Sequence, residues 1–149
     1  MGMSRRDALR LAAGTAALAL SGAPARGAPA DAAAAIADFT GGRTAEESHI
    51  TLDLAEQVED GNSVPLSVTV ASPMRSSDYV SDVLVVAEEN PWARVAHFSF
   101  TPAAGRAGFS TRIRLTDSQK VIVLAKTNDG RLYRAQRHVE VTVGACRPD

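Results

Sequence analysis

Residues Val64 to Ser72 read V-P-L-S-V-T-V-A-S, and the spacing within this stretch decides the fold. Val64, Leu66, Val68 and Val70 fall on one side, and Pro65, Ser67 and Thr69 on the other. A period of two is the signature of a half-buried β-strand, because successive side chains of a strand point to opposite faces. The valines add a side-chain type that packs well on a pleated surface.

Working outward, the period of two begins at Ile50 and returns, less cleanly, in Tyr79 to Glu89, Val95 to Thr101, Phe109 to Leu115, Val121 to Thr127 and Tyr133 to Val143. Turn chemistry separates these runs: Asp60-Gly61-Asn62, Ser72-Pro73, Asn90-Pro91, Pro102 to Gly105, and Asn128-Asp129-Gly130. Six or seven short strands with no helical pattern between them point to an all-β, immunoglobulin-like antiparallel β-sandwich. A closed barrel is the alternative. The sequence holds no internal repeat and no heptad pattern.

The 149 residues are enough for one domain, and 45% hydrophobic against 22% charged residues suit a packed core rather than a disordered chain. Lys and Arg number 16 against 17 Asp and Glu, so the net charge of −1 carries no message. With no basic run and aromatics at 5%, nucleic acid is not an expected partner.

The first thirty residues differ in composition. Arg5 and Arg6 precede a short apolar run from Leu11 to Leu20, followed by small residues around Ala23-Pro24-Ala25 and Ala28-Pro29-Ala30. Charged, apolar and cleavable parts in that order form a signal peptide, with an apolar part too short for a membrane anchor. Ser4 to Arg10 resembles the twin-arginine (Tat) export signal, departing from it at Ala8, where phenylalanine is usual. The expected division is therefore a signal over 1–30, a short helix and linker over 31–42, the sandwich over 43–143 and a C-terminal arm over 144–149. Asp31 is the expected N-cap, Ile36 and Phe39 share a helix face, and Gly41-Gly42 stops the helix. A periplasmic location follows. Tat cargo usually folds before export, because it carries a cofactor or a partner, and without a metal or nucleotide motif a partner is the expectation.

Chemistry is sought first at the histidines. His49, His97 and His138 are isolated, with no second ligand at metal spacing, and read as surface or strand-edge residues. The carboxylate pairs Glu46-Glu47, Glu59-Asp60 and Glu88-Glu89 read as solvated turns or strand ends. Tyr79, Trp92 and Phe109 are expected to face the core. One cysteine remains, Cys146, so no disulfide can form within the chain, and an exported lone thiol is intermolecular or reactive. His138 is the nearest base in sequence, but Gly144-Ala145 separates the thiol from that strand, and no oxyanion hole is evident. Val139, Val141 and Val143 alternate with Glu140 and Thr142, so the sheet is expected to end at Val143, with Gly144 freeing the backbone to leave it. Three extended residues reach about 10 Å, enough to carry Cys146 off the body into another protein. The thiol reads as an accessible covalent attachment point.

Taken together, "GNSVPLSV", "YVSDVLVVAEENPWARVAHFSF", "TRIRLTDSQKVIVLAKTNDG" and "VEVTVGAC" resemble the SoxY family, over roughly Ile36 to Cys146. These are periplasmic sulfur carriers of bacterial thiosulfate oxidation. The resemblance implies an immunoglobulin-like sandwich that forms a heterodimer with a SoxZ-like subunit. It also implies a carrier thiol at Cys146 and no cofactor or catalytic residue. Partner enzymes (a loading cytochrome, a sulfate thiohydrolase and a sulfane dehydrogenase) then act on sulfur held there, and no membrane anchor remains after processing.

The family's arm is Gly-Gly-Cys-Gly-Gly, whereas this chain reads Gly144-Ala145-Cys146-Arg147-Pro148-Asp149. Ala145 lacks easy access to positive φ, Pro148 fixes its own φ, and Arg147 is biased to extended conformations by the proline after it. Gln57 to Gly61 replaces the more usual Ile-Ala-Glu-Asn-Gly, a change expected to matter little. Two other readings stand beside the carrier: one for another cargo or partner set, and a non-catalytic sandwich subunit joined to its partner by a disulfide.

Overall fold

The structure, a computed structural model, describes residues 29–146. The signal-peptide reading, with Arg5 and Arg6, lies outside the described residues, as do Arg147, Pro148 and Asp149. One helix, α1 (Pro29–Thr40), precedes eight strands: β1 (Ile50–Asp53), β2 (Gln57–Asp60), β3 (Val64–Val70), β4 (Val80–Ala87), β5 (Arg94–Ser99), β6 (Ala107–Ile113), β7 (Gln119–Thr127) and β8 (Leu132–Val143). One sheet runs β1-β3-β6 and the other β2-β8-β7-β4-β5.

Between the sheets lies the main core. Val64, Leu66, Val68 and Val70 of β3 face Val83, Val85 and Ala87 of β4 and Val121, Val123 and Ala125 of β7, all of them buried. Alternation is clean in β3 because its other face meets solvent. It is blurred in β4 and β7 because Leu84, Val86, Ile122 and Leu124 are buried too, under Ala32 and Ala35 of α1 with Ile36 and Phe39 alongside. A strand covered on both faces reads as a continuous apolar run. This docking also stabilises a helix of 12 residues that is marginal by itself.

Local details differ from expectation at several points. The helix starts at Pro29, so Asp31 sits in its first turn rather than at the cap. There its charge still complements the positive end of the helix dipole. Gly41 and Gly42 adopt φ of 64° and 76°, and Gly42 N–H donates to the Ala37 carbonyl at 3.1 Å, which ends the helix in a Schellman motif. β2 contains a single apolar residue, Val58, and so escaped the periodicity. It also pairs in parallel with β8, Gln57 opposite Glu140 and Asp60 opposite Val143, in a sandwich otherwise paired antiparallel among its named strands. Glu46 already bridges Tyr133 in parallel. The run from Glu46 to Asp60 thus travels beside β8 in one direction, visiting the other sheet as β1 on the way.

Tyr79 and Phe109 pack half-buried against the core, and Phe109 stacks on Phe98 with ring centroids 3.8 Å apart, joining the two sheets along one side. Trp92 does not face the core: it is 72% exposed. In the link between β4 and β5, Asn90 and Ala93 are the buried residues, and Trp92 points the other way.

Candidate functional site at the end of the last strand

β8 ends at Val143, and the chain that follows is not released there. Gly61 N–H donates to the Val143 carbonyl at 2.8 Å, Leu115 N–H to the Gly61 carbonyl at 2.9 Å, and Ala145 N–H to the Leu115 carbonyl at 2.9 Å. Three separate segments are thereby tied into one backbone knot. A Cβ at Gly61 would lie 2.1 Å from the Leu115 carbonyl oxygen, and one at Gly144 2.1 Å from that of Thr116. Both glycines are present because backbone approaches backbone too closely for any side chain. Gly144 does not take positive φ, and neither does Ala145, whose methyl is buried at 5% exposure. Gly144 does not free the backbone as expected: the first two residues of the expected 144–149 arm stay with the body, the chain being bonded down as far as Ala145.

The receiving loop is itself fixed from below. Buried Asn90 donates through Nδ2 to the Arg114 carbonyl at 2.8 Å and accepts at Oδ1 from Thr116 N–H and from Gln119 Nε2. Buried Gln119 completes the set by donating to the Asp117 carbonyl and accepting from Glu89 N–H. Buried amides with all these partners are stabilising, and loss of one partner costs about 1–3 kcal/mol.

Cys146 is a free, exposed thiol. Its backbone N–H reaches the Asn62 side-chain carbonyl at 3.4 Å. Asn62 is oriented in turn by Asp60, whose Oδ1 accepts from both the Asn62 backbone N–H and Nδ2, each at 2.8 Å. These bonds hold the Asp60 carboxyl below its ordinary pKa, so it stays ionised. Position 60, expected to tolerate change, therefore stands at the foot of the thiol. Sequence reasoning placed Asp60-Gly61-Asn62 in a turn but had no signal connecting that turn to residues 143–146.

No histidine joins the thiol. His138 pairs with Glu140 at 2.8 Å on β8, and five residues of strand, roughly 16 Å, separate it from Val143. His97 bonds Asp82 at 3.1 Å on the outer face of the larger sheet, and His49 bonds Ser48 at 2.7 Å while stacking on Tyr133. Two concavities of about 420 and 590 Å³ lie along β2 and β8, lined by polar residues such as Gln57 and Glu140, and Cys146 lines neither. Among the described residues no group of three or more His, Cys, Asp or Glu is placed to hold a metal. No helix among them is long and apolar enough to cross a membrane.

The described residues form a two-sheet sandwich whose cysteine, Cys146, stands exposed where the last strand ends. The chain belongs to the SoxY family: the family described as Sulfur oxidation protein SoxY matches residues 36–146, up to and including the thiol. Among solved structures it is similar to the sulfur carrier protein SoxY from Chlorobium limicola f thiosulfatophilum. The two share 27% identity and a TM-score of 0.62, with 76% of this chain and 98% of that one covered. A putative superoxide reductase from Thermotoga maritima (19% identity, TM-score 0.53, 64% and 87% covered) and the superoxide reductase (neelaredoxin) from Ignicoccus hospitalis (17%, 0.52, 70% and 91%) share the fold. No curated protein matches the sequence.

Proposed function

We propose that this chain is a periplasmic carrier that holds thiosulfate-derived sulfur on Cys146 and presents it to partner enzymes, without catalysing turnover itself. The observation that carries this reading is the exposed Cys146 thiol at the end of a family match that includes it. Among the described residues no histidine lies beside the exposed thiol, which suits chemistry supplied from outside.

In the first step the Cys146 sulfur joins the outer sulfur of thiosulfate as a disulfide-type S–S bond. Two electrons leave for an external oxidant, the haem of a loading cytochrome, and the thiol proton goes to solvent. Water then cleaves the terminal sulfonate as sulfate, releasing protons and leaving a persulfide on Cys146, the task of a sulfate thiohydrolase. A sulfane dehydrogenase then oxidises the outer persulfide sulfur to a sulfonate, taking the oxygen from water and passing the electrons to an external acceptor. A second hydrolysis releases that sulfonate as sulfate and returns the Cys146 thiol. A SoxZ-like subunit is the stable partner, and the signal at Arg5 and Arg6 exports the folded pair through the Tat route. A carrier of the same type for a different partner set is the second reading, favoured by the Ala145, Arg147 and Pro148 departures from a glycine arm.

Intact mass spectrometry of the exported protein from cells given thiosulfate, before and after reductant and with Cys146→Ser as control, tests the proposal. Reductant-labile additions of sulfane sulfur or thiosulfonate on Cys146 support it. A bare thiol, or a disulfide to one fixed partner, overturns it in favour of a structural subunit.

A further inference from the structure

The knot at Gly61, Leu115 and Ala145 explains how the tail is held as far as residue 145; it does not explain what orients residue 146. The bond from Cys146 N–H to Asn62 Oδ1 does. A side-chain amide has one accepting and one donating end, and its usefulness depends on which end faces which neighbour. Here the Asp60 carboxylate decides. Its oxygen only accepts, so it draws the Nδ2 end of Asn62 toward itself at 2.8 Å and turns the Oδ1 end toward the Cys146 N–H. The reversed amide would set oxygen against carboxylate and N–H against N–H. The second bond, which the Asn62 backbone N–H donates to Asp60 Oδ1, fixes the turn in which this happens.

We infer that Asp60 and Asn62 are positioning residues for the Cys146 thiol, latching the backbone at the attachment point so that the thiol is presented from the body of the sandwich and not from a free tail. The inference deepens the carrier reading and rests on it for its purpose. A partner enzyme then meets the thiol together with the Asp60–Asn62 turn, or must open the latch to draw the cysteine further out.

The test follows backbone amide exchange with water by NMR in the exported protein and in Asn62→Ala, Asp60→Ala and Asp60→Asn. The Ala145 amide serves as internal control, since its acceptor is the Leu115 carbonyl and not a side chain. In Asn62→Ala the Cys146 amide is expected to exchange about two- to tenfold faster, the range that one net hydrogen bond supports, while Ala145 is unchanged. Asp60→Ala should do the same, and Asp60→Asn, which keeps an accepting oxygen, should restore protection near neutral pH. An unchanged Cys146 amide in Asn62→Ala, or equal acceleration at Ala145 and Cys146, overturns the latch. Loading of Cys146 with sulfur is read separately by mass: a responsive latch on a thiol that never loads removes the carrier reading alone, and a loaded thiol with an unresponsive amide removes the latch alone.

Discussion

Ala145 donates its backbone N–H to the carbonyl of Leu115 at 2.9 Å, and its methyl is buried against the sandwich. The first residue to depart from the glycine-arm pattern is thus seated in the body. Replacing Ala145 by glycine removes a buried methyl and adds backbone freedom, at a combined cost of about 1–2 kcal/mol. The expected outcome is a tail that opens several-fold more often by amide exchange, with the melting temperature of the sandwich little changed.

Replacing Ala145, Arg147 and Pro148 together with glycine should raise the loading rate by enzymes adapted to glycine arms, measured as adduct formed on Cys146 over time. An unchanged rate would show that the arm does not set partner choice.

At Gly61 the outcome should be harsher. A Cβ there meets the Leu115 carbonyl oxygen at 2.1 Å and the Ala145 nitrogen at 3.0 Å, and both are backbone atoms that cannot step aside cheaply. Gly61→Ala is expected to destabilise by roughly 1–3 kcal/mol, the range of overpacking, and to loosen the tail at the same time. Thermal unfolding measures the first effect and proteolysis of the tail the second.

Cys146→Ser should remove every sulfur adduct and leave the fold untouched. The side chain is exposed and changes by one atom, so the stability difference belongs within about 0.5 kcal/mol. A large loss of stability on chemical denaturation would show that the thiol is part of the scaffold.

Acid sensitivity should concentrate at the far end of the sandwich. The Thr127 hydroxyl and then the Arg131 guanidinium, both donating to Asp129, lower its pKa from 3.8 to about 2. A lowered carboxylate pKa contributes stability above the ordinary value that is lost as pH falls through the folded one, here between about 4 and 2. Asp129→Asn should flatten the stability profile in that window. An NMR titration that puts Asp129 near 3.8 would remove the effect.

Much of the fold was legible because its cause is local. Val64 to Val70 alternates because one face of β3 is buried, and Gly41-Gly42 stops α1 through its own φ angles. β2 was illegible because only Val58 in it faces inward, and its parallel direction depends on β8, some eighty residues later. Trp92 was misplaced because hydrophobicity alone does not say which residue of a link points in. Cys146 could be singled out by count, but the residues beneath it could not. Gly61, Leu115 and Thr116 meet the tail through backbone atoms, which carry no side-chain signature, and a turn motif such as Asp60-Gly61-Asn62 looks the same whether or not a distant strand end rests on it.

The parallel pairing of β2 with β8 has a mechanical side. β8 lies between β2 and β7, and its ladder bonds to both run across its axis. An enzyme tugging on the cysteine along that axis pulls on all of these bonds at once, in shear, instead of unzipping them one by one. β8 is held by β7 over 132–139 and by β2 over 140–143, so a pull on Cys146 strains the latch and the last residues before it strains the sheet.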